Sequence, residues 1–189
     1  MTDSTIIDGV DYGPLACLVG NWAGDKGVDK APEPDGEEKN LYYETLMYEA
    51  IGDVTNAEQQ TLAALRYHQV VSRKSNNKVF HNETGYWTWD SATDVLTHSL
   101  TIPRGVCVVA GGQASNTDDG ATCLTVAAQI DDPDWGIVQS PFMRDNAKTT
   151  AFRQSITVDG DKMVYEETTV LDIYGRVYDH TDRNRLQRV

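Results

Sequence analysis

Apolar and polar residues alternate with period two along most of this chain. The clearest example is Val95-Leu96-Thr97-His98-Ser99-Leu100-Thr101-Ile102, where every second residue from Leu96 is apolar except His98. Successive side chains of a strand point to opposite faces, so this pattern predicts a strand with Leu96, His98, Leu100 and Ile102 turned inward. Similar runs occupy residues 40–49, 62–73, 78–89, 105–111, 121–130, 136–142, 149–158 and 162–173, and a first strand begins near Trp22. Turn formers separate them: Asn76-Asn77, Pro103-Arg104-Gly105, Asp118-Asp119-Gly120, Asp131-Asp132-Pro133 and Asp159-Gly160-Asp161. The count is ten strands with short connections, which predicts an all-β protein, a ten-stranded antiparallel meander. Closing it into a barrel removes exposed edges and leaves room inside for a ligand.

Other stretches are less regular. Residues 1–12 read as a flexible lead-in and residues 13–189 as a single domain. Gly13-Pro14-Leu15-Ala16-Cys17-Leu18-Val19 predicts a short helical turn, with Pro14 in its first turn. Residues 29–38 carry two prolines, a glycine and five acidic residues, and read as an exposed loop. Residues 57–64 have helical propensity, which leaves the start of the third strand open.

Composition narrows the function. Among 189 residues, 40% are hydrophobic and 24% charged, ordinary for a soluble domain. The formal charge of −13 argues against nucleic acid or an anionic membrane as partner. No apolar run approaches the roughly 20 residues of a membrane span, and the first residues lack the features of a signal peptide. Cys17, Cys107 and Cys123 are odd in number and widely spaced, which predicts free thiols in the core of a cytoplasmic protein. A small hydrophobic or planar molecule is the expected partner, and a homodimer is compatible with the sequence.

Few residues offer chemistry. Phe80-His81-Asn82-Glu83-Thr84-Gly85-Tyr86-Trp87 places His81 and Glu83 on one strand face, with Gly85 leaving space beside them. That suits a polar spot in a cavity wall and an exposed face equally. His98 reads as a core histidine bonded to backbone, and His68 as a surface residue. His180, in Tyr178-Asp179-His180-Thr181-Asp182-Arg183, reads on chemistry alone as a solvated tail residue among Asp–Arg pairs. No phosphate loop, Ser-His-Asp spacing or paired-cysteine metal signature is present.

The order of motifs resembles the nitrobindin family, heme-binding β-barrels related in shape to fatty-acid-binding proteins and lipocalins. Pro14-Leu15 followed by Leu18-Val19-Gly20-Asn21-Trp22-Ala23-Gly24 is similar to the family's opening. Tyr67-His68-Gln69, His81-Asn82-Glu83-Thr84-Gly85-Tyr86 and the Gly105–Gly111 run resemble its later strands, and His180 with Leu186 its closing segment. The Gly24-Asp25-Lys26-Gly27 stretch keeps two glycines of the family's pocket run but not the Tyr-Pro-Thr-Ile that follows them. The resemblance implies ferric heme b in the barrel, with His180 as axial metal ligand and His81, Glu83, His98 and Trp22 around the cofactor. It also implies nitric oxide binding or isomerisation of peroxynitrite. Two other readings stand beside it: a non-heme carrier of a fatty-acid-like or other apolar molecule, and a cofactor-free enzyme with His81 or His98 as base.

Overall fold

The computed structural model describes residues 5–189. Two short strands, β1 (Ile6–Ile7) and β2 (Val10–Asp11), pair with each other and lead into a 3-10 helix, Gly13–Leu18. Then come β3 (Gly20–Glu33), β4 (Gly36–Asn56), β5 (Gln60–Arg73), β6 (Val79–Asp90), β7 (Val95–Ile102), β8 (Val106–Asn116), β9 (Thr122–Gln129) and β10 (Ile137–Gln139). A helix α1 (Pro141–Asn146) precedes β11 (Ala147–Asp159), β12 (Lys162–Ile173) and β13 (Arg176–Arg188).

Ten of these strands form a closed antiparallel barrel, with β3 to β9 in order, then β11, β12 and β13, and β13 back on β3. Short β10 pairs only with the first residues of β8, Val106 to Val108, below the point where β9 takes over that edge. The first and last long strands therefore meet, as closure requires. At one end the 3-10 helix packs against β6 and β9 and buries Leu15 and Leu18. Trp22 lies beneath it at 1% exposure, its indole N–H donating to the Leu18 carbonyl at 2.7 Å, with the Arg188 guanidinium over its ring at 4.1 Å. That end is a packed apolar plug.

Three expectations fail for physical reasons. Residues 29–38 are not a loop: β3 runs to Glu33 and β4 starts at Gly36, so only residues 34–35 turn and Asp29 is buried. Acidic and proline content concealed the alternation there. Residues 136–142 are not a barrel strand. After three residues of β10, Ser140 caps α1 by accepting the Met143 N–H, with Pro141 opening the helix. The tenth strand is instead β13, read from sequence as a charged tail. Its inward positions His180, Asp182 and Asn184 are polar, so the two faces hardly differ in hydropathy.

Smaller corrections follow. Residues 57–64 form no helical turn; Ala57 and Glu58, both at positive φ, turn the chain from β4 into β5. All three cysteines are free, but Cys107 faces outward and is exposed. Gly85 leaves no space: a Cβ there would lie 1.9 Å from the Ser99 carbonyl oxygen of β7. Among the described residues no helix is long and apolar enough to cross a membrane.

Candidate functional site

At the end away from the plug the barrel holds a cavity of about 390 Å³. Strands β7, β8, β11 and β12 line it with Leu100, Ile102, Val108, Phe152, Leu171 and Ile173. Strands β3, β6, β12 and β13 supply Asp29, His81, Glu83, Glu167, His180 and Asp182. Arg73 and Arg104 also line it. The cavity is thus amphipathic, with an apolar side and a side of imidazoles and carboxyls.

Inward alternation on β6 brings His81 and Glu83 together, Nε2 to Oε2 at 3.4 Å. Glu83 is buried and accepts a second hydrogen bond, from the Tyr67 hydroxyl to Oε1 at 2.6 Å. Burial alone would raise its pKa, but the hydrogen bond and charge of His81, with His98 and Tyr67, hold the carboxyl below the usual range. Burial works to lower the pKa of His81, and bonding to Glu83 more than reverses it. Both shifts favour the charged form of the pair.

His98 sits behind them. Its ring stacks on Trp87 with centroids 4.3 Å apart, and its Nε2 lies 2.9 Å from the Tyr67 oxygen. Because Tyr67 donates its proton to Glu83, His98 must donate Nε2–H to Tyr67, leaving Nδ1 bare. Burial lowers the pKa of this histidine to about 4, so it stays neutral. It is a core histidine as expected, bonded to a hydroxyl and not to backbone. His68 is exposed, paired with Asn82 at 3.0 Å.

The fourth histidine, His180, lies at the closing seam. Its Nε2 stands 2.6 Å from Asp29 Oδ1 and 3.4 Å from Asp182 Oδ2. Asn40 donates to the other oxygen of Asp29 at 2.8 Å. Burial opposes charge on His180, but the Asp29 hydrogen bond and both carboxylates raise its pKa overall. Burial and the nearby Asp29 push Asp182 up to about 6, against the pull of His180.

Of the residues singled out from sequence, His81, Glu83 and His180 share this cavity. His98 touches it only through Tyr67 and Glu83, and Trp22 lies in the plug, outside it. The sequence reading missed Asp29 and Glu167, together with a buried cluster that reaches the cavity through Gln69 and Tyr165. There Tyr165 donates to Glu44 Oε2 at 2.8 Å, Gln69 donates to the same oxygen at 3.1 Å, and Tyr42 meets Tyr165 at 2.7 Å. A signal existed: Tyr42, Glu44, Leu46 and Tyr48 alternate on one face of β4.

A closed antiparallel barrel with one amphipathic interior cavity defines a small-molecule-binding class. Residues 11–188 match the THAP4-like, heme-binding beta-barrel domain family, and the chain belongs to it. Among solved structures it is similar to the crystal structure of Rv2717c from M. tuberculosis. That likeness has a TM-score of 0.71 at 25% identity and covers 93% of this chain and 94% of that one. No curated protein matches.

Does the donor set suit a heme? The apolar side and the two arginines suit a porphyrin and its carboxylates. The axial position does not. A ligating imidazole presents an unprotonated nitrogen to iron, its other nitrogen fixed by a hydrogen bond. Here Nε2 of His180 carries a proton toward Asp29, a buried carboxylate itself held by Asn40. The arrangement as it stands does not offer that nitrogen to a heme.

Proposed function

We propose that the protein binds a small amphipathic molecule inside the barrel. The observation that supports this is the divided lining of the cavity. An apolar or planar body would lie against Leu100, Val108 and Phe152, and a polar end would meet His81, Glu83, His180 and Asp182. Burial of the body supplies affinity at roughly 25 cal/mol per Å², and the imidazole–carboxylate side orients the polar end. The division of the lining into an apolar and a polar side suits holding a ligand, and binding without catalysis is the reading we take.

Family membership favours heme as a second reading, with His180 as axial ligand and Arg73 and Arg104 near its carboxylates. Nitric oxide or peroxynitrite chemistry belongs to that reading alone, and the Asp29–His180 contact weighs against it.

Titration with the neutral fluorophore Nile red and, separately, with hemin tests both. Wild type should bind Nile red with a blue shift, and Val108→Trp, which fills the apolar side, should not. Equal binding by both proteins, or by neither, would overturn the first reading. Stoichiometric hemin uptake with a Soret band that His180→Ala abolishes would establish the second.

A further inference from the structure

The register of the closing seam sets two acids against each other. Asp182 of β13 pairs directly with Asp29 of β3, and both side chains turn into the barrel. Directly opposed residues have Cβ atoms about 4.5–5.5 Å apart, and like charges there are destabilising. His180, two residues before Asp182 on the same face, lies between them, its Nε2 at 2.6 Å and 3.4 Å from their oxygens. Asp29 is 3% exposed at its side chain, so water does little to screen it. The groups that face this trio from β6 do not balance it, because His81 is paired to Glu83. Arg104 acts on both histidines, so its effect there is to oppose their protonation.

We propose that Asp29, His180 and Asp182 bind a divalent transition-metal ion on the polar side of the cavity. One ligand atom from each of the three already lies within 4.8 Å of the others. Bonds of about 2.0–2.2 Å require ligand atoms roughly 3–3.5 Å apart, a rotamer adjustment away. One imidazole nitrogen with two carboxylate oxygens is a set that Zn²⁺, Fe²⁺, Co²⁺ or Mn²⁺ accepts. The outer support is in place, since the Asn40 amide holds Oδ2 of Asp29 and leaves Oδ1 directed at His180. On binding, the His180 proton leaves to solvent and the imidazole nitrogen facing Asp29 becomes a ligand. The ion would keep its cavity side open, as three protein ligands leave a fourth position for water or a ligand's polar atom. This site shares His180 and Asp182 with the polar side of the proposed ligand cavity, so metal uptake is measured with no organic ligand present.

The test uses the untagged 189-residue chain, stripped with EDTA and titrated with Zn²⁺ by calorimetry and with Co²⁺ by visible absorption. One ion per chain is expected, with Co²⁺ d–d bands that Zn²⁺ displaces. Asp182→Asn, which relieves the like-charge pair and should fold, is expected to lower affinity at least about 100-fold. Asn40→Ala should lower it roughly 10–100-fold through the outer contact. Asp182→Glu should restore part of what Asp182→Asn loses, and circular dichroism reports that each variant is folded. Nile red binding by the metal-free protein reports separately on the cavity. A wild type that takes up no ion stoichiometrically, or Asp182→Asn binding as tightly as wild type, would overturn the proposal.

Discussion

Replacing Glu44 with glutamine should stabilise this protein at neutral and alkaline pH and leave it nearly unchanged in acid. Glu44 is 1% exposed on the inward face of β4, where Tyr165 and Gln69 donate to one of its oxygens. Burial raises its pKa from 4.5 to about 7, even against the hydrogen bonds of Tyr165, Gln69 and Asn184. The folded state therefore holds a proton more tightly than the unfolded chain. The stabilisation is complete below the unfolded pKa and is lost as pH rises through the folded one. Raising the pKa from 4.5 to about 7 corresponds to about 3 kcal/mol, of which about 2.5 falls between pH 5 and pH 8. Urea unfolding of both proteins across that range measures it. The difference in unfolding free energy should move toward the variant by about 2 kcal/mol, while the other titrating groups cancel in the comparison. A difference that stays constant within about 0.5 kcal/mol would refute the reasoning, because Glu44 would then ionise in the fold at no cost.

Three further expectations rest on other contacts. Gly85→Ala should lower the melting temperature, at a cost of about 1–3 kcal/mol, because its methyl would strike the Ser99 carbonyl; an unchanged melting point would mean that β6 and β7 can separate freely. Tyr67→Phe removes the hydrogen bond to buried Glu83 and the oxygen that accepts from His98. It should cost about 1–3 kcal/mol by denaturant unfolding, and a neutral result would mean water takes the hydroxyl's place. Thiol titration should find one fast cysteine in the native protein, exposed Cys107, and three after denaturation. Cys17, pushed up to about 11 by burial, should react slowly, and two fast thiols would contradict that.

The barrel was legible in the sequence because most strands differ sharply between faces. Leu96, His98 and Leu100 turn inward on β7 as the alternation predicts, and Trp22 is buried at the closing end. Where both faces are polar the signal fades, and for that reason β13 reads as a tail and the β3–β4 hairpin as a loop. The site suffered most from this, since Asp29 and Asp182 lie on those two segments. His81 with Glu83 was legible because a strand carries residues two apart on one face. The seam was not, because it depends on which residue of β3 faces which residue of β13. The shift in that pairing between Arg183 and Gln187 is fixed only by closure of the ring.

The interior carboxyls show why the seam stands apart from the rest of the barrel. Glu44 and Glu167 are driven toward the neutral form by burial, and each has a hydrogen-bonding partner, Tyr165 and Gln154 respectively. Glu83 stays ionised, but it has His81 and the Tyr67 hydroxyl to itself. A buried acid is tolerable by either route, through a proton or through a partner. Asp29 and Asp182 share a single imidazole, and raising Asp182 to about 6 resolves the conflict only in acid. The fold thus sets two opposed carboxyl groups and one imidazole beside a cavity. A bound cation would give both carboxyl groups a common partner. Metal uptake should therefore raise the melting temperature more at pH 8 than at pH 5, since His180 and Asp182 have fewer protons to lose at the higher pH. An equal rise at both values would place the ion elsewhere.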